Sequence, residues 1–148
     1  MPYEYKAKVL RVYDGDTFLA DIDLGFGFSL KEKFIRLMGV DTPEIKTKDS
    51  EEKKFGELSK KFAETFFKNN KNEVLIKTHI HNVSLEGKEK FGRILAYVFD
   101  ASVNKCLNVE IIKNFHGVEY FGKSKEDIIL SHIENRKKIN LQNASTIN

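Results

Sequence analysis

Cysteine is almost missing from this chain. Cys106 is the single thiol in 148 residues, so no disulfide forms within the chain and no zinc site can be built from cysteines. Long apolar runs are missing too, since no stretch approaches the ~20 residues of a membrane-crossing helix. The opening MPYEYKAKVLRVYDGD has no apolar leader segment, which sets the expected location as cytoplasmic, or secreted for a processed or recloned form. Repeats, linkers and low-complexity segments are not found. What is present is 41% apolar and 32% charged residues, a globular balance that excludes disordered and collagen-like chains. One core at this length buries roughly two-thirds of the unfolded surface. A single domain over residues 1–148 is expected, with the polar tail from about 140 to 148 frayed.

Arginine is also scarce. Of 25 basic residues, 21 are lysine and four are arginine: Arg11, Arg36, Arg93 and Arg136. Where lysine supplies ordinary positive charge, an arginine suggests that its planar fork is needed, as in bidentate grip of a phosphate. The net charge of +3 hides an asymmetry. Residues 1–44 carry eight acids against six bases, and the remainder fourteen against nineteen. That pattern suits a cation site facing a polyanion; it also suits a solvated lysine-rich surface.

Alternation marks strands at Tyr3 to Val9, Thr17 to Leu24, Phe28 to Val40, Val74 to Ile80 and Ile94 to Phe99. Gly25-Phe26-Gly27 separates the second from the third. A helix is predicted over Ser50 to Asn69, with Phe55, Leu58, Phe62 and Phe66 as an inward stripe that belongs to the core and not to a base-stacking surface. Further helices are predicted from Cys106 to Asn114, with Leu107, Ile111 and Ile112 inward, and from Ser124 to Ile139. The last ends in Arg136-Lys137-Lys138, which suits a helix C-terminus. Five strands and three helices make an α+β chain with a small barrel-like sheet.

Three segments concentrate chemistry. Asp14-Gly15-Asp16-Thr17 is a turn between strands, readable as an ordinary hairpin. Ile35 to Glu44 (IRLMGVDTPE) is an apolar strand ending in a proline-fixed turn with two carboxylates and an arginine. A hard cation such as calcium takes oxygen ligands, which Asp16, Asp41 and a carbonyl near Thr42 can supply; a capped turn is the plainer reading. Gly87 to Arg93 (GKEKFGR) offers a lysine, an aromatic and a second isolated arginine, or simply a surface hairpin. An EF-hand fails on Asp21 and Asp23, because Gly25 stands where a ligand is required and no glutamate closes the loop.

Together DGDT, RLMGVDTPE and KFGR, in that order, resemble the staphylococcal nuclease (thermonuclease) family from about Lys6 to Ile139. The resemblance implies a five-stranded OB-fold β-barrel with three helices, and a calcium-dependent endonuclease that leaves 5′-hydroxyl and 3′-phosphate ends on single-stranded or loosely paired DNA and RNA. By the same resemblance Asp16, Asp41 and the Thr42 carbonyl hold Ca2+, Glu44 activates water, and Arg36 and Arg93 grip the phosphate. Lys90, Phe91 and Tyr120 lie beside the nucleic acid, and Asn108 matches an asparagine after the last strand. Phe91 replaces a common tyrosine, Glu89 a common aspartate, and GFGFSLKEKF is a segment of its own. No membrane contact and no obligate protein partner are implied.

A non-catalytic nucleic-acid-binding or scaffold OB-fold module is the alternative from another class. Such a binder has no need of Asp16, Asp41, Glu44, Arg36 and Arg93 together. His79 and His81 share a strand face, but no third metal ligand is identifiable. His116 and His132 carry no motif, and Cys106 reads as a small apolar residue.

Overall fold

The computed structural model describes residues 2–79 and 93–147. Strands β1 (Pro2–Asp14), β2 (Thr17–Gly25) and β3 (Phe28–Leu37) form an antiparallel meander. Strand β5 (Glu73–His79) pairs antiparallel with β1 and with β6 (Ile94–Phe99), and β6 closes the barrel by running parallel to β3. The order around the closed barrel is β1-β2-β3-β6-β5, the mixed five-stranded arrangement of an OB-fold. Bulges in β1 and β2 bend these strands enough for so few to close.

The expected third strand does not run unbroken to Val40. It stops at Leu37, turns at Met38-Gly39, and resumes as β4 (Val40–Asp41), which leaves the barrel and pairs with β7 (Val118–Glu119). Gly39 has φ +76°, a conformation that a side chain resists.

Helix α1 (Ser50–Asn69) is capped by Asp49, whose carboxylate accepts from the amides of Glu51 and Glu52. Its buried face is Phe55, Gly56, Ser59, Ala63 and Phe67, rotated from the expected stripe. Phe55 is inward as expected, whereas Leu58, Phe62 and Phe66 are only half-buried. Small side chains face inward because the helix lies close against the β1–β2 turn and the segment after β4. Phe67 enters the barrel and meets Phe18 with ring centroids 4.7 Å apart. Around that pair the core gathers Ala20, Ile35, Leu37, Ile76, Ala96 and Val98.

Helix α2 (Leu107–Lys113) contributes Leu107 and Ile111 to the same core, with Ile112 packed at its margin. Helix α3 (Lys125–Ile147) runs beyond the expected end at Ile139. The stretch after Ile139 contains neither glycine nor proline to stop it. Arg136-Lys137-Lys138 therefore lies inside the helix. No helix among the described residues is long and apolar enough to cross a membrane.

Candidate active site

Three short pieces of backbone are tied together at one end of the barrel. The β1–β2 turn carries Asp14 and Asp16, the end of β3 carries Arg36, and β4 with its following turn carries Asp41, Thr42 and Glu44. Leu37 N–H donates to the Asp16 carbonyl at 2.9 Å, and Thr42 N–H donates to Asp16 Oδ2 at 3.1 Å. Thr17 Oγ1 donates to Asp16 Oδ1 at 2.9 Å. Asp16 is only 7% exposed, so these donors fix a carboxylate that water hardly reaches.

Arg36 lies between two acids. Its Nη2 is 3.6 Å from Asp16 Oδ2 and 3.7 Å from Asp41 Oδ1. The guanidinium sits 5.4 Å from the centre of the Tyr120 ring, close enough for a cation–π contact. Asp41 Oδ2 is 2.8 Å from His132 Nε2 on α3. An ionised carboxylate can only accept, so the imidazole is the donor. Sequence reasoning missed His132, because nothing within helix α3 marks one histidine as facing β4.

Glu44 is exposed at the rim. Partial burial and then the charges of Asp14, Asp16 and Asp41 raise its pKa above the usual carboxylate value. Asp14 is raised as well, first by burial and then by Asp16, while Lys46, Lys60 and Arg93 oppose the shift. Arg93 is thus near enough to act on Asp14 of the β1–β2 turn. Position 56 sets the place of Glu44: a Cβ there would come within 2.8 Å of the carbonyl oxygens of Pro43 and Glu44. Only glycine lets α1 rest directly on that backbone.

Asn108, buried with 3% exposure, braces the strand ends from behind. Its Oδ1 accepts from Val98 N–H at 2.9 Å, and its Nδ2 donates to the carbonyls of Met38 at 3.0 Å and Ala96 at 3.1 Å. Every polar atom of the amide is used.

The structure brings together Asp16, Asp41, Thr42, Arg36, Glu44 and Tyr120, with Arg93 within electrostatic reach. It adds Asp14, which the sequence offered only as a turn residue, and His132. Lys90 and Phe91 lie outside the described residues, as does His81. His116, which carried no motif, packs its ring on Phe62 at 5.0 Å. Cys106 is the N-cap position of α2, and burial pushes its thiol pKa up.

The donor set can be tested against a bound cation. Among the described residues no three histidine, cysteine or acidic side chains are grouped so as to hold a metal ion. Two carboxylates and a carbonyl would leave the rest of a calcium shell to water, which that ion accepts. The proposed ligand atoms on Asp16, Asp41 and Thr42 are oxygens, the kind a hard cation takes. Thr42 Oγ1 is buried beside them without a hydrogen-bond partner. The pKa values of Asp14 and Glu44 are raised first by burial and then by the neighbouring acids. The residues fit a hard divalent ion.

Comparison with known proteins shows the family. The family model described as staphylococcal nuclease homologue matches residues 34–142. An uncharacterized protein of Methanocaldococcus jannaschii is 33% identical over 120 residues, covering 70% of this chain and 53% of that protein. The thermonuclease of Staphylococcus hyicus is 31% identical over 96 residues, with 65% of this chain and 49% of the relative covered. That of Staphylococcus intermedius is 30% identical over 105 residues, covering 71% and 54%. The chain spans about half the length of the curated relatives it matches.

Proposed function

Because the chain belongs to the staphylococcal nuclease homologue family, we propose that it is a calcium-dependent endonuclease that hydrolyses phosphodiester bonds in single-stranded or loosely paired DNA and RNA. The observation that carries this reading is Arg36 held between Asp16 and Asp41, with Glu44 on the same rim and raised in pKa by burial and those acids. A binding module gains nothing from concentrating acids where a polyanion must dock. A hydrolase does, because the acids can hold a cation and one of them can accept a proton.

In this reading Asp16, Asp41 and the Thr42 carbonyl hold Ca2+, which when bound supplies fixed positive charge beside the phosphate. Arg36 and Arg93 offer their forks to the non-bridging oxygens and meet the charge that grows on them. Glu44 accepts the proton of a water that attacks phosphorus. The bond from phosphorus to the 5′ oxygen breaks, that oxygen takes a proton from solvent, and 5′-hydroxyl and 3′-phosphate ends result. Tyr120 backs Arg36 and offers an aromatic face to the nucleotide, with Lys90 and Phe91 assigned beside it from the sequence.

The test is cleavage of a labelled single strand with calcium, with magnesium and with a chelator, alongside Glu44→Gln. Calcium-dependent cleavage, abolished by chelation and reduced by several orders of magnitude in the variant, is expected. Tight binding without cleavage under every metal would instead assign the chain to the non-catalytic class.

A further inference from the structure

The outer face of the barrel beside this site carries an aromatic ledge that the hydrolytic chemistry does not use. Register places Arg11, Leu19 and Phe34 side by side on β1, β2 and β3, with Thr17 and Arg36 paired at the next outward position. Phe18, Ala20 and Ile35, their neighbours in sequence, point into the core, so Leu19 and Phe34 face outward by alternation. Tyr13 sits at a bulge in β1, and its ring lies 5.3 Å from that of Phe34, across the intervening strand β2. The Arg11 guanidinium stacks over Tyr13 at 4.9 Å from the ring centre. Phe34 remains 40% exposed.

We propose that Phe34 and Tyr13, edged by Arg11, form a stacking subsite for an unpaired base flanking the cleaved phosphate. The inference rests on the nuclease reading and extends it, since it names a surface that selects single strands. Phe34 precedes Arg36 by two positions on one face of β3, about 7 Å along the strand. A nucleotide whose phosphate is held by Arg36 therefore has its neighbour within reach of the ledge. A nucleotide has the apolar face of its base for Phe34 and Tyr13 and a phosphate for Arg11, which is one of only four arginines in the chain. Duplex bases stay stacked on one another and cannot enter such a ledge, whereas unpaired bases can. The rings of α1 do not compete for this role, because Phe55 and Phe67 are buried and Phe62 and Phe66 pack against the core.

Binding is measured by fluorescence anisotropy in calcium, on Glu44→Gln protein so that the strand survives. The probes are a labelled oligothymidylate of about twelve nucleotides, within the span of one OB-fold, and a labelled dinucleotide. Adding Phe34→Leu or Tyr13→Ala is expected to weaken the longer probe by about fivefold or more, the lower end for losing one stacked base. The preference for the longer probe shrinks by the same factor, and Phe34→Trp retains it. Phe26→Ala, at the fully exposed tip of the β2–β3 hairpin, serves as the control. Phe34→Leu keeps apolar bulk over Leu19, so a fold defect is separable by circular dichroism.

Unchanged affinity in both ledge variants, or an equal loss on both probes, overturns the subsite. If the parent protein binds neither probe, the nuclease reading fails and takes the ledge with it. If wild type binds and cleaves while the ledge variants match it, the ledge alone is rejected.

Discussion

His132 stands 91 positions from Asp41 in the chain, yet its Nε2 lies 2.8 Å from the Asp41 carboxylate. That contact fastens helix α3 to β4 and orients one of the two acids that flank Arg36. A carboxylate held by a hydrogen bond presents its remaining lone pairs in a fixed direction, which favours a cation over a freely rotating group. His132→Ala is expected to weaken calcium binding by roughly tenfold, read by titration calorimetry. His132→Gln, which keeps a donor, recovers part of the loss. Equal calcium affinity in wild type and His132→Ala would refute the link.

Arg36→Lys preserves charge but removes the fork that spans Asp16 and Asp41 and the flat surface that meets Tyr120. Turnover is expected to drop by roughly a hundredfold to a thousandfold, the scale of losing one group that stabilises transition-state charge. Steady-state kinetics on a single-stranded substrate decides this. Near-normal turnover would remove Arg36 from the chemistry.

Gly56→Ala inverts a usual rule. In a helix interior alanine is better than glycine by about 1 kcal/mol, but here the added methyl would meet the Pro43 and Glu44 carbonyls at 2.8 Å. A net destabilisation of about 1–3 kcal/mol is expected, with slower cleavage because Glu44 moves with its backbone. Urea denaturation gives the sign, and a more stable variant would contradict the packing described.

Asn108→Ala removes an amide with three hydrogen bonds, those to Val98 and Ala96 buried and that to Met38 partly so. Leaving Val98 N–H without its acceptor and opening a polar cavity should cost about 2–4 kcal/mol. Chemical denaturation measures it. A cost below about 0.5 kcal/mol, as for an ordinary surface change, would show that the bracing is dispensable.

Burial lowers the pKa of His116 below the ordinary imidazole value of 6.5, and its Nδ1 makes no hydrogen bond. The unfolded chain therefore takes up a proton at this position before the folded one does. The stability contribution is present above pH 6.5 and is lost as pH falls toward the folded pKa. His116→Phe, which keeps the ring against Phe62, is expected to flatten the fall in thermal midpoint below pH 6.5. An equally steep fall in the variant would assign the acid sensitivity to other groups.

Much of the fold is written locally. Alternation marked the barrel strands because a strand shows one face to the core and the other to water. It could not show that β3 breaks at Gly39, since Val40 continues the apolar pattern on the far side of the turn. The stripe of α1 differs from the expected one because large apolar side chains suggest burial, whereas close approach to the Pro43–Glu44 backbone selects Gly56 and the β1–β2 turn at Gly15 meets Ser59. The end of α3 was misjudged because basic residues suit a helix terminus without enforcing one.

The candidate site divides in the same way. Asp16, Arg36, Asp41, Thr42 and Glu44 were legible because each lies in a short segment whose turn chemistry and charge stand out from their surroundings. Sequence alone determined the family, the order of the five barrel strands and three helices, and the acids and arginines on offer. Only the tertiary structure decided that Asp14 joins the acid cluster, that His132 returns from the last helix to hold Asp41, and that Tyr13 meets Phe34 across β2. These relationships depend on barrel register and helix docking, which set distances between residues far apart in the chain and leave no periodic trace in it.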